Sequence, residues 1–195
     1  SLHKNRNLST MLLFNRAAAA AAILLSRSPI ASEAKTNIAI ARTFSFNDAA
    51  SLPDSFDIWD THPPCNGTAS AVVDLFLVFS QSLENSSVAR STINQIQQRF
   101  QETNGWGQCI GRVSGVGVDI DPDLDMYRSN EQETNPLWVS GPNRQFERTV
   151  RTLQGGTYEV MYLMEMDSVP VKPFWLDAIV NEINSQRHDF AIIGR

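Results

Sequence analysis

The run Ala71-Val72-Val73-Asp74-Leu75-Phe76-Leu77-Val78-Phe79 constrains the fold more than any other part of the chain. Apart from Asp74, both of its alternating sets of side chains are apolar. A strand made from it must therefore be covered on two faces. Strands of that kind belong to parallel sheets flanked by helices. Downstream, Ser86 or Ser87 is placed to cap a helix with Ala89, Ile93, Ile96 and Phe100 on one face, ending near Asn104-Gly105. Cys109 to Val118 offers a weaker strand containing Gly111, Gly115 and Gly117. Leu137-Trp138-Val139 reads as a short strand broken by Gly141-Pro142, before a helix from about Asn143 to Leu153 with Phe146, Val150 and Leu153 on its apolar face. Tyr158 to Met166 reads as a buried strand ending at Asp167. Pro173 takes a first-helical position ahead of Leu176, Ile179, Val180 and Ile183, and Asp189 to Gly194 begins a further strand. Strands alternating with helices predict an α/β fold with a mostly parallel sheet, which binds ligands at the carboxyl ends of its strands.

The chain ahead of Ala71 reads differently. Residues 36–70 lack a sustained period and contain Pro53, Pro63 and Pro64, so they are expected to form a linker or irregular lead-in. Residues 1–35 read as a presequence. Arg16 precedes Ala17 to Ala22 and Ile23-Leu24-Leu25, with small residues around Ala31-Ser32. The apolar run is shorter than the roughly 20 residues of a membrane span. The pattern resembles a secretory signal, with an organellar transit peptide or a plain Ala-rich tail as alternatives. The first implies the secretory pathway, in the Golgi or as a secreted protein. Any membrane association is expected only through this segment. Asn66-Gly67-Thr68 and Asn85-Ser86-Ser87 fit the N-glycosylation pattern. Cys65 and Cys109 either form one disulfide or remain two thiols.

Charge narrows the ligand classes. The formal net charge is −5. Residues 1–50 carry six basic and two acidic side chains, whereas residues 51–195 carry ten and nineteen. An acidic globular part disfavours nucleic acid as a partner. It suits a divalent cation held between protein and anionic ligand.

The residues best suited to that task are Glu165 and Asp167, in Met164-Glu165-Met166-Asp167-Ser168-Val169-Pro170. Alternate positions on a strand face one side, about 7 Å apart at the backbone. Paired carboxylates need compensation, and hard oxygen ligands suit Mg²⁺ or Mn²⁺ with positions left for substrate phosphates.

The segment Tyr158–Pro170, with an acid-x-Asp pair delivered by a buried strand, resembles GT-A glycosyltransferases. The following Val171-Lys172-Pro173-Phe174-Trp175-Leu176 and the preceding Gly141-Pro142-Asn143-Arg144-Gln145-Phe146 are similar to the same family. The resemblance spans residues 71–195 and rests on element order. The first acid is Glu165 where the family more often carries Asp. It implies a Rossmann-like nucleotide-sugar-binding half, truncated before the acceptor half is complete. It further implies Glu165 and Asp167 as metal ligands, and Asn143 and Arg144 as contacts to nucleotide or phosphate. The base would lie by the end of the first strand at Phe79, Ser80 and Gln81. The expected activity is glycosyl transfer from a nucleotide sugar to an unknown acceptor with Mn²⁺ or Mg²⁺. A secreted, non-catalytic α/β domain binding a glycan or a protein is the alternative, because fold alone does not fix function.

Other constellations fail on spacing. In Asp119-Ile120-Asp121-Pro122-Asp123-Leu124-Asp125 a Ca²⁺ loop would need Gly at Leu124 and Glu at Asn130, so a solvated acidic loop is expected. Gly111, Gly115 and Gly117 do not match the dinucleotide fingerprint. His3, His62 and His188 lack a partner motif for nucleophilic hydrolysis. Trp175 is expected to pack in the core.

Overall fold

The computed structural model describes residues 21–24, 36–67, 71–102, 106–126, 140–185 and 192–193. Their elements run β1 (Ala21–Leu24), β2 (Thr36–Phe44), α1 (Asp57–Thr61), β3 (Ala71–Phe79), α2 (Ser87–Glu102), β4 (Arg112–Gly117), α3 (Ser140–Gln154), β5 (Val160–Met164), α4 (Trp175–Ser185) and β6 (Ile192–Ile193). Four strands in the order β4-β3-β2-β5 are all parallel and flanked by helices, giving an α/β fold. Beyond β5 the sheet continues with β1 and β6, each paired antiparallel to its inner neighbour. Ala21–Leu24 thus pairs with Val160–Leu163, although it lies in the stretch that reads as a presequence. Leu137-Trp138-Val139 lies outside the described residues.

The structure corrects the expectation of a linker over 36–70. Thr36–Phe44 is a central strand, and Ile38 through Phe44 are buried. The two faces of the sheet explain its composition. Ile38, Ile40 and Phe44 join Val73, Leu75, Leu77 and Phe79 in a core shared with α2 and α4. Ala39 and Ala41 face the other way, with Phe76, Val78, Met161 and Leu163, into a smaller core that receives Leu153 of α3. Small alanines at the centre of this face let a helix lie close to the backbone.

The chain between β2 and β3 carries the rest of the larger core. Trp59 of α1 packs against Phe56, Trp106 and Trp175 with ring centroids 4.8, 5.3 and 5.1 Å apart. Such pairs add about 0.5–1.5 kcal/mol each beyond their burial. Trp175 is therefore a packing residue, as its sequence context indicates. A Cys65–Cys109 disulfide joins this segment to the turn before β4.

Local signals account for the helices. Ser86 Oγ accepts from the Ala89 amide at 3.1 Å and so caps α2, which buries Ala89, Ile93 and Ile96. Helix α3 begins at Ser140, so Gly141 and Pro142 belong to its first turn and do not precede it. Pro is tolerated there because first-turn amides have no intrahelical acceptor. Helix α4 starts at Trp175, two residues past the position expected from Pro173. No helix among the described residues is long and apolar enough to cross a membrane.

Candidate functional site

Strand register decides where a crevice forms. Phe44 pairs with Phe79 and Phe79 with Gly117, so β2, β3 and β4 end level with one another. Met164 pairs with Arg42, so β5 stops two residues lower and the chain turns beside Thr43 and Phe44. Counted in order of appearance, the parallel strands lie third, second, first and fourth across the sheet. The strand order therefore reverses between β2 and β5, where α3 crosses on the face opposite α2 and α4. Ligands of open α/β sheets bind at such a switch point.

A cavity of about 300 Å³ occupies this position, lined by Thr43 and Phe44 of β2, Glu165 and Asp167 after β5, and Gln145 and Phe146 of α3. Both predicted metal ligands thus face one cavity, but not along a strand. The strand ends at Met164, and the Ser168 amide donates to the Glu165 carbonyl at 3.0 Å, closing a turn. Glu165 is exposed as a residue and lines the cavity. Desolvation first, and the charge of Asp167 second, push its pKa above the ordinary carboxylate value. Burial and the neighbouring Asp167 thus disfavour the ionised form of Glu165, a cost that a bound cation would relieve. Among the described residues no group of three or more His, Cys, Asp or Glu side chains is gathered for a metal. The donor set is a pair of carboxylates, which fits a hard cation that keeps sites for phosphate or water.

Two groups that the sequence reading missed build the frame. Gln145 is buried, and its Nε2 donates at 3.0 Å to both the Phe44 and the Val78 carbonyls, fixing α3 across the ends of β2 and β3. Arg42 is fully buried, and its guanidinium donates at 3.2 Å to the carbonyls of Ser168 and Met166. Desolvation lowers its pKa to about 10, against the opposing pull of Asp167 and Tyr162, so it stays charged at neutral pH. Its carbon lies 5.2 Å from the Phe56 ring centroid, a cation–π contact. Asp48 also lines the cavity, but its Oδ2 accepts from the Ser45 amide and hydroxyl at 2.8 and 2.7 Å. That carboxylate closes its own turn.

The expected nucleotide contacts fare differently. Phe79 is wholly buried and stacks on Phe44 with centroids 5.2 Å apart, so its side chain belongs to the core. Ser80 is also buried, and its hydroxyl donates to Asp125 Oδ2 at 2.6 Å. Gln81 Nε2 donates to the same oxygen at 2.8 Å. Asn143 and Arg144 are exposed on α3 and do not line the crevice. Because the helix starts at Ser140, its buried positions are Gly141, Gln145, Thr149 and Leu153, Pro142 and Phe146 border the crevice, and Asn143 and Arg144 turn outward.

A second cavity, about 430 Å³, lies at the ends of β3 and β4, lined by Gln81, Asn85, Asp121 and Arg148 among others. Arg148 Nη1 donates to the Val118 and Asp119 carbonyls at 3.0 and 2.6 Å, tying α3 to the acidic loop. Asp119, Asp121 and Asp123 are exposed, as a solvated loop requires, while Asp125 turns inward to Ser80. Comparison of the chain with family models, curated proteins and solved structures finds no match, so the site has to speak through its own geometry.

Proposed function

We propose that the crevice between β2 and β5 binds the diphosphate of a nucleotide sugar through a divalent cation, and that the protein is a GT-A-type glycosyltransferase. The observation that carries this reading is the position of Glu165 and Asp167, which line one cavity at the switch point of a parallel sheet. Among the described residues no Lys or Arg lines that cavity, so a diphosphate there would face carboxylates without a basic partner from them. A Mn²⁺ or Mg²⁺ ion would supply the missing positive charge and stabilise the diphosphate as it leaves. Asp167 and Glu165 would hold the ion, and Gln145 would keep the crevice walls in register. The second cavity, walled by Gln81 and Arg148, adjoins the ends of β3 and β4 and leaves room for the remainder of the nucleotide.

The test is calorimetric titration of the full chain with UDP and GDP, with and without Mn²⁺, beside Asp167→Asn. Metal-dependent binding lost in the variant supports the assignment. Binding that persists unchanged in folded Asp167→Asn refutes the role of Asp167.

A second reading is a non-catalytic α/β domain that binds a glycan or protein. The outward placement of Asn143 and Arg144 favours it, because the crevice then lacks the side-chain contacts expected for a nucleotide. Under that reading a folded chain binds no nucleotide at any Mn²⁺ concentration.

A further inference from the structure

Arg42 is the only charged side chain among the described residues that is fully buried. It occupies a position on β2 where Ile38, Ile40 and Phe44 fill the same face with apolar groups. An aliphatic residue would continue that pattern and avoid the desolvation of a cation, which commonly exceeds what a buried polar contact returns. Packing alone therefore does not account for Arg42.

Its hydrogen bonds do. Nη2 donates to the carbonyl of Met166 and Nη1 to that of Ser168, the residues on either side of Asp167. The planar fork of a guanidinium spans two acceptors in a fixed relation, which a lysine ammonium cannot reproduce. The same turn is closed from within by the Ser168 amide donating to Glu165. Asp167, a residue that lines the crevice, is thus the centre of a segment whose flanking backbone is held from the core side. Nε of Arg42 has no hydrogen-bond partner, so the guanidinium spends its paired donors on this turn.

We propose that Arg42 is a positioning residue that holds the Glu165–Asp167 turn in the geometry a divalent cation requires. The inference rests on the cation reading above, and its test separates the two. Wild-type chain, Arg42→Lys and Arg42→Met are compared by hydrogen exchange of the peptide covering 165–170 and by Mn²⁺ binding in electron paramagnetic resonance, with no nucleotide present. The expected result is about ten-fold faster exchange in that peptide, with the 71–79 peptide unchanged, because local opening is released without global unfolding. Mn²⁺ affinity is expected to fall about ten-fold with Glu165 and Asp167 intact, as outer contacts to ligand segments commonly produce.

Unchanged exchange at 165–170 in a folded variant overturns the proposal. Faster exchange with wild-type Mn²⁺ affinity also overturns it, since Arg42 would then be structural only. A wild-type chain that binds no Mn²⁺ refutes the cation reading and the role in cation geometry with it, whereas the exchange data still report whether Arg42 holds the turn. Should Arg42→Met fail to fold, Arg42→Lys, which keeps the charge but not the fork, decides the question.

Discussion

Gln145 on α3 donates its side-chain amide to the carbonyl of Phe44 at 3.0 Å, across 101 positions of sequence. The same nitrogen reaches Val78 at 3.0 Å, so one buried amide joins the ends of two parallel strands to the helix above them. Gln145→Met keeps the approximate volume and leaves both carbonyls without this donor. The Phe44 carbonyl keeps the Ser80 amide at 3.1 Å, so the cost is that of two lost hydrogen bonds, about 1–3 kcal/mol in all. The expected outcome is a loss of that size in urea denaturation, with nucleotide affinity reduced as α3 shifts from the crevice. Phe146→Ala, at a position 38% exposed, is expected to change stability by much less. Equal losses from the two variants would contradict the assigned role of Gln145.

Glu165 gives the site a pH signature. Its folded pKa is raised by desolvation and by Asp167, so the fold holds this proton more tightly than the unfolded chain does. Its stabilising contribution is full below the unfolded value of 4.5 and is lost as pH rises through the raised folded value. A cation, by contrast, needs the ionised form. Mn²⁺ affinity should therefore rise with pH across the window in which metal-free stability falls. Glu165→Gln should flatten the part of both slopes that this group supplies and weaken Mn²⁺ binding. Stability and Mn²⁺ titrations at pH 4, 5, 6 and 7 would check this; identical slopes in wild type and Glu165→Gln would remove Glu165 from the site.

The sequence made some elements plain and concealed others, for identifiable reasons. β3 is legible because Ala71 to Phe79 is apolar on both faces, and α2 because Ser86 caps a regular apolar stripe. β2 is hidden because Ala39 and Ala41 are weakly hydrophobic and Arg42 interrupts the run. The acceptors that make Arg42 tolerable lie 124 and 126 residues away, where no local pattern reveals them. Without β2 the switch point cannot be located, although the acidic pair on its rim can be read directly. Helix phase decides where the α3 candidates lie: a start at Ser140 turns Gln145 inward and Asn143 and Arg144 outward. Strand phase likewise places the Phe79 side chain on a core face with Val73, Leu75 and Leu77.

The Cys65–Cys109 bridge closes a separation of 44 residues that contains all of β3 and α2. Restricting an unfolded loop of that length contributes up to about 4 kcal/mol in the chain-entropy account. Cys109→Ser, or reduction with dithiothreitol, is expected to lower stability by about 2–4 kcal/mol. The two treatments should match in thermal melts, and the variant should show no further response to reductant. A melt of the wild type that is insensitive to reductant, with thiols shown to be free, would rule out a stabilising bridge.

Gly117 ends β4 where the loop after β3 passes closest to it. A Cβ added there would lie 2.7 Å from the Gln81 carbonyl oxygen and 2.8 Å from the Leu83 amide nitrogen. Both are backbone atoms, so relief requires moving the chain that walls the second cavity and carries the Gln81 bond to Asp125. Gly117→Ala is therefore expected to destabilise the fold by about 1–3 kcal/mol, the range for overpacking. Gly155, just past α3, offers the internal comparison, because a Cβ there meets nothing within 4 Å. Gly155→Ala should be neutral or stabilising by up to about 1 kcal/mol through the unfolded state. Chemical denaturation of the pair measures both. A Gly117→Ala variant as stable as Gly155→Ala would mean that the 81–83 loop can move away from β4, and that the second cavity has no fixed wall.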